Sequence, residues 1–249
     1  MTTTRAISRS LRTYWAPGRA EALDRFHARF LAPGELGFDI GAHVGDRAAS
    51  FLRLGARAVA VEPQPRLRRL LRLMLGRCPR FSLEATLVGA RPGEAVLRVN
   101  SANPTVATAS DAFVAAADGA PGWEGQVWDG TLTLPVTTLD RLAAAHGLPD
   151  FLKIDVEGFE AEALAGLSRP PRTLSFEFTT IQRGVAADCL ARLDALGYRA
   201  FNACLREGMA FAHAGPVNAR AMARWIAALP HEANSGDVYA SQEPARISA

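Results

Sequence analysis

Asp150-Phe-Leu-Lys-Ile-Asp-Val-Glu-Gly-Phe-Glu160 decides how this chain is read, because it is an apolar run carrying three regularly spaced charges. Phe151, Leu152, Ile154 and Val156 are the residue types of a central parallel strand covered on both faces. Lys153, Asp155 and Glu157 alternate with them, so along an extended strand the three charges point to one side. A lone buried charge is costly, so these groups must be paired or must face a polar cleft. Gly158 breaks the strand, and Phe159 to Leu167 reads as a helix. Such a strand, loop and helix place ligands at the carboxyl end of a sheet.

Lys153 is the only lysine among 28 basic residues, all the others being arginine. Two readings stand for it: an ion pair inside the sheet with a neighbouring carboxylate, or a direct part in the site, where a compact ammonium does what a guanidinium does not. The next strand, Thr173 to Phe178, carries Glu177 as its single charge, and beside the Lys153 strand Glu177 is the expected partner of that lysine.

Upstream, Leu36 to Ile40 reads as the first strand, followed by the loop Gly41-Ala-His-Val-Gly45 and a helix from Asp46, with Asp46 as its cap. Ala58 to Val61 is the second strand and ends in Glu62-Pro63. A glycine turn after one strand lets backbone approach a ligand, and an acid at the tip of the next can accept hydrogen bonds from two ribose hydroxyls. The loop lacks the three-glycine pattern that seats a pyrophosphate on a helix N-terminus. Asp39 just before the turn disfavours pyrophosphate and suits a cationic ligand with an amino group, such as S-adenosylmethionine.

Phe81 to Val88 reads as a third strand and Glu94 to Val99 as a fourth. Residues 100–135 shift to Ala, Gly, Ser, Thr and Asp, a stretch long enough to be a lid or substrate loop. Thr138 or Asp140 caps the next helix. Tyr198 to Asn202 and Met209 to Ala212 are candidate strands, Asn218 caps a helix to Leu229, and Asp237 to Ala240 is a last strand. The alternation gives an α/β, doubly wound, mostly parallel sheet with an antiparallel edge hairpin. Residues 1–34 form an N-terminal helical extension, with a helix from Glu21 to Leu31, and 35–249 one domain with a lid-like insertion at about 100–135.

The 249 residues are 49% hydrophobic, enough for a sizeable core, and the formal net charge of +3 is mild. The arginines between Arg66 and Arg80 share a helix with Leu67, Leu70 and Leu71 and read as its solvated face, without interleaved aromatic residues for base stacking. No nucleic-acid partner is expected. Cys78, Cys189 and Cys204 show neither metal-ligand spacing nor an even count for disulfides. With no apolar stretch long enough to span a bilayer, a cytoplasmic setting without a membrane partner is expected.

Taken in order, Asp39-Ile-Gly-Ala-His-Val-Gly45, Val61-Glu62-Pro63, Val136-Thr-Thr-Leu-Asp140 and Phe151 to Glu160 resemble the FkbM-type methyltransferase family over roughly residues 36–240. The resemblance implies a seven-stranded, class I, Rossmann-like fold that uses S-adenosylmethionine, and O-methylation of hydroxyls on natural products, sugars or other small molecules. It also implies that Asp39, Gly41, Ala42, His43 and Gly45 hold the methionine part of the cofactor, and Glu62, with Pro63, the ribose. His43 stands where the family often has Asn, and a helix-capping role is expected of it. Leu87-Val88-Gly89 lacks the acid often found near the adenine.

Methyl transfer to an alcohol needs positioning first and a proton acceptor second. Asp155 is the candidate acceptor or hydroxyl anchor, with Glu157 and Glu177 as alternatives and Lys153 keeping a carboxylate ionised or steering a substrate oxygen. No metal set is assigned; a divalent ion on Asp155 is possible but not favoured, for want of further ligands. A noncatalytic cofactor-binding scaffold and a nicotinamide-dependent oxidoreductase are the competing readings.

Overall fold

The computed structural model describes residues 3–249. Two helices come first, α1 (Thr3–Tyr14) and α2 (Arg19–His27), separated by a turn in which Gly18 takes a left-handed φ of 78°. Strands and helices then alternate through β1 (Leu36–Ile40), α3 (Asp46–Arg53), β2 (Arg57–Val61), α4 (Pro65–Leu75) and β3 (Phe81–Glu84). Next come β4 (Leu87–Val88), β5 (Gly93–Val99), α5 (Asp111–Ala117), β6 (Gly130–Thr137) and α6 (Leu139–His146). The chain continues through β7 (Phe151–Ile154), α7 (Glu160–Ala165), β8 (Thr173–Thr179), α8 (Arg183–Ala195), β9 (Ala200–Leu205), α9 (Ala219–Ala228) and β10 (Ser235–Ser241).

Seven strands form one sheet in the order β3-β2-β1-β7-β8-β10-β9. The first five are parallel; β10 runs antiparallel to both β8 and β9. The chain winds outward from β1 to β3 on one side and from β7 to β8 on the other, so the crevice at the carboxyl ends of β1 and β7 is the topological switch point. A second sheet, β4-β6-β5, stands beside it.

Strand alternation sorts the core into two layers. Phe38, Ile40, Leu152, Ile154, Phe176 and Val238 belong to one apolar cluster with residues of α6 to α9. Phe151 and Tyr239 point the other way and cluster with Phe26 and Phe30 and with Ala48 and Phe51 of α3. The Phe30 and Phe151 rings stack at 4.7 Å, which fastens the segment after α2 to the central strand. Burying such a ring contributes about 1.5–3 kcal/mol. By the same parity, the row Asp39, Lys153, Ser175, Glu177 and Asp237 lies on this second face, where polar groups replace apolar ones toward the strand tips.

Several local expectations change. The run Phe81 to Val88 is not one strand: β3 leaves the main sheet after Glu84, and Thr86 Oγ1 donates to Pro135 O at 2.7 Å, directing β4 onto β6. Met209 to Ala212 is not a strand; Ala212 N still donates to Ala203 O at 2.7 Å. The expected antiparallel pair at one edge is β9 with β10, β9 being outermost. The helix expected from Glu21 to Leu31 starts at Arg19 and ends at His27, and α1 precedes it. Thr138 caps α6 by accepting from Arg141 N at 3.2 Å. No helix among the described residues is long and apolar enough to cross a membrane.

Candidate active site

The cleft at the switch point has an empty space of about 790 Å³ counted to its open mouth, and it runs from the tips of β1 and β2 to the tip of β7. At its β1 end Gly41 has φ 83°, and a Cβ there would lie 1.8 Å from Asp155 O, so no other residue fits without separating the two strand tips. Gly41 N and Ala42 N both donate to Val61 O at 3.0 Å, which closes the loop over β2. Gly45, not Asp46, caps α3; Asp46 is its first residue, one step from the expected position.

Glu62 is buried at the tip of β2. His43 N donates to its Oε2 at 2.9 Å and Gln64 N to its Oε1 at 2.7 Å. Burial outweighs these two bonds and pushes its carboxyl up to about 8. Each oxygen keeps a free lone pair, which is the acceptor set a vicinal diol such as a ribose requires. This acid, with the glycine turn that brings backbone to the cleft, fits the adenosine and methionine parts of S-adenosylmethionine. Ala42, His43 and Pro63 line the same wall. His43 does not cap the helix: its ring meets Tyr14 edge-on at 5.4 Å, and Nε2 is 3.4 Å from Thr105 Oγ1. Burial lowers its pKa to about 4, so the imidazole is neutral.

Asp39 is not brought to the cleft. Its carboxylate is fully buried beneath α3, where Oδ2 accepts from Ala48 N at 3.1 Å while Oδ1 has no partner among the described residues. The side chain ties the helix to the strand, and the loop it precedes forms one wall of the cleft. Gly45 is likewise behind the wall, its α-carbon facing Leu71.

At the β7 end the charges gather. Lys153 Nζ donates to Asp155 Oδ2 at 2.7 Å, with Lys153 only 4% exposed. Burial opposes ionisation of Asp155, but the Lys153 ammonium, the Arg47 guanidinium and the Lys153 hydrogen bond together hold its carboxyl below the usual range. Glu177 is therefore not the partner of Lys153. The register sets Lys153 opposite Ser175, so Glu177 stands one pair further on, beyond the reach taken by the ammonium. Asp155, Glu157 and Glu177 instead converge, one carboxylate oxygen from each lying within 4.8 Å of the others. Burial, then the charge of Asp155, pushes both Glu157 and Glu177 well above the ordinary range.

The turn carrying these acids is held from behind. Glu160 Oε1 accepts from Val156 N at 3.0 Å and Gly158 N at 3.2 Å. Thr108 Oγ1 donates to Glu157 O at 2.7 Å, and Glu157 takes a left-handed φ of 54°. Phe113 of α5 packs where a side chain on Gly158 would be. Residues 100–129 thus dock on the turn through Thr108 and through a small cluster of Val106, Phe113, Ala117 and Trp123.

The remaining walls carry residues that the sequence reading did not single out. Tyr14 of α1 lines the cleft, with the Arg19 guanidinium 5.3 Å and the Arg47 guanidinium 6.0 Å from its ring centre. Arg47 donates to Asp46 Oδ2 at 3.1 Å and Glu207 Oε2 at 2.7 Å, bridging α3 to the segment after β9. Against burial, Arg47 and Arg19 bring the Glu207 carboxyl down to about 2. Asp237, directly across from Glu177 on β10, is raised to about 6 by burial. Their elements are far apart in the chain, and no local motif marks them.

A seven-stranded sheet of this order, with a glycine loop after β1 and an acid at the tip of β2, defines a class I methyltransferase. The Methyltransferase FkbM domain model matches residues 39–200, well over half of the chain, and the protein belongs to that family of S-adenosylmethionine-dependent methyltransferases. The nicotinamide reading is thereby set aside. A search of curated proteins returned no match. Among solved structures, the precorrin-6y C5,15-methyltransferase of Geobacter metallireducens is similar at 15% identity, covering 90% of this chain and 88% of that one with a TM-score of 0.44. A TehB-like SAM-dependent methyltransferase of Corynebacterium glutamicum is similar at 11% identity, covering 95% and 96% with a TM-score of 0.48. An rRNA methylase of Streptococcus thermophilus is similar at 12% identity, covering 88% and 92% with a TM-score of 0.43.

Proposed function

We propose that this methyltransferase acts on a hydroxyl oxygen of a small molecule, sugar or natural product. The observation that carries this reading is the Lys153–Asp155 pair: an ionised carboxylate at the tip of the central strand, at the opposite end of the cleft from Glu62. Bound S-adenosylmethionine supplies a methyl group made electrophilic by its sulfonium. Glu62 holds the ribose through its free lone pairs, and the backbone at Gly41 and Ala42 lines the approach to Asp155. Asp155 accepts a hydrogen bond from the acceptor hydroxyl and so aims its oxygen. During the transfer Asp155 would take up the hydroxyl proton on its carboxylate. Lys153 keeps Asp155 ionised until that moment.

The acids at this end support a neutral acceptor over a nucleic acid, because a polyanion would be repelled there. Residues 100–129, docked behind the acidic turn, serve in this reading as the cover over the acceptor. Three free thiols accord with a reducing, cytoplasmic setting.

Calorimetric titration with S-adenosylmethionine, S-adenosylhomocysteine and NAD comes first, followed by transfer of labelled methyl to a panel of alcohols, phenols, sugars and amines. Binding of the first two ligands with label on oxygen is the expected result. Label on nitrogen alone overturns the oxygen assignment, and binding with no transfer to any acceptor returns the chain to a noncatalytic role.

A further inference from the structure

Glu157 is the least expected group in the molecule. Its side chain is almost wholly withdrawn from solvent, the residue being 7% exposed. Among the described residues nothing donates a hydrogen bond to its carboxylate, and the contact it does make runs through its backbone oxygen to Thr108. Its carboxylate is aimed at those of Asp155 and Glu177, and Glu177 Oε2 is itself buried without a partner. The cations nearby are already engaged: Lys153 with Asp155, and Arg47 with Asp46 and Glu207. Three carboxylates against one ammonium leave two negative charges when all are ionised.

We propose that Asp155, Glu157 and Glu177 form the binding site of one divalent cation of the Mg²⁺ or Mn²⁺ class. The donor set is all oxygen, with neither imidazole nor thiolate, which is the chemistry of a hard cation. An ion of this class holds its oxygens at about 2.0–2.1 Å, so two ligand atoms are at most roughly 4.2 Å apart. The three carboxylate oxygens, all within 4.8 Å of one another, come inside that span by small side-chain rotations. The backbone bonds from Val156 and Gly158 to Glu160, and from Thr108 to Glu157, hold the turn in this shape without help from the ion. The sequence alone did not favour a metal, for want of further ligands; the fold brings Glu177 beside Asp155 and Glu157.

Asp155 and Glu157 also line the cleft, so the open positions of the ion face the acceptor. There the ion would hold and acidify the hydroxyl to be methylated. This role rests on the hydroxyl-methylation reading; the ion site itself does not.

The test uses the full chain stripped with a chelator and titrated with Mn²⁺, free Mn²⁺ being counted by its electron paramagnetic resonance signal. One saturable ion per chain is expected, with affinity at least about tenfold lower in Glu157→Gln and in Glu177→Gln. Glu162→Gln, on the exposed side of α7, is the control and should bind as the parent does. S-adenosylhomocysteine binding by calorimetry shows that each variant folds. Absence of a saturable site in the parent, or a site indifferent to both substitutions, overturns the proposal. S-adenosylmethionine binding without Mn²⁺ binding leaves the methyltransferase reading standing and removes the ion; Mn²⁺ binding without S-adenosylmethionine binding does the reverse.

Discussion

The two ends of the cleft treat their acids in opposite ways. At the β1–β2 end Glu62 receives a backbone N–H on each oxygen, from His43 and Gln64. At the β7–β8 end Asp155 receives one ammonium, and among the described residues no group donates a hydrogen bond to the Glu157 carboxylate or to Glu177 Oε2. Backbone donors fix the position of a buried carboxyl before any ligand arrives, whereas carboxyls without them are free to turn toward a proton or an external cation. The first end is thus a cradle of fixed shape. The second is reactive because it is left incomplete.

The sharpest way to break this comparison is Asp155→Asn. Turnover should fall by about 10²–10⁴ if the carboxylate takes the hydroxyl proton. Cofactor affinity, measured by calorimetry, should stay within a few-fold, since the other end of the cleft is untouched. Unchanged turnover would remove Asp155 from the reaction. Glu62→Ala should give the mirror result, weakening S-adenosylmethionine by roughly 10–100-fold through the loss of charge-assisted hydrogen bonds. Affinity equal to that of the parent would show that the ribose lies elsewhere.

A smaller effect is expected from pH. With its carboxyl raised to about 8, Glu62 must shed a proton to accept two ribose hydroxyls, so cofactor affinity should rise with pH and level off above that value. The slope below it should approach about tenfold per unit for one released proton. Glu62→Gln should flatten the profile; an unaltered slope would assign the proton to another group. The sign for folding is opposite: the unfolded chain releases this proton near the ordinary carboxyl value and the folded chain only near 8, so Glu62 costs stability increasingly as pH rises between them.

The smallest effect concerns the support behind the incomplete end. Thr108→Val leaves Glu157 O without its donor and should cost about 1–2 kcal/mol. That corresponds to a fall in Tm of roughly 2–8 °C for a chain of this size. S-adenosylhomocysteine affinity should not move. A loss of that affinity instead would show that the two ends are not independent.

Much of this site was legible because its chemistry is local in the chain. The glycine turn, Glu62 and the run from Lys153 to Glu157 are each contiguous, and period-two alternation shows which of their side chains share a face. Glu177 was visible as a charge, but its neighbour is set by strand register, which depends on how β7 and β8 meet and not on either segment alone. Tyr14 was hidden for another reason: Ile7, Leu11 and Tyr14 recur at helical spacing, but nothing local in α1 tells that its end reaches the cleft. Arg47 and Glu207 are ordinary surface residue types until folding joins the start of α3 to the segment after β9. The single apparent strand from Phe81 to Val88 has suitable residues throughout, and it is split by where Thr86 finds its acceptor. Asp39 shows the converse, a motif acid whose partner is the helix above it.

The place of β10 bears on how the molecule is made. This strand follows β9 in the chain yet lies between β8 and β9. Wherever β9 forms before β10, a gap one strand wide has to stay open beside β8, because hydrogen-bonding β9 directly to β8 would shut the later strand out. Asp237, delivered opposite Glu177, arrives with it. The flank of the acid cluster that faces β10 is therefore covered last, after the glycine loop, Glu62 and the Lys153–Asp155 pair can already be in place.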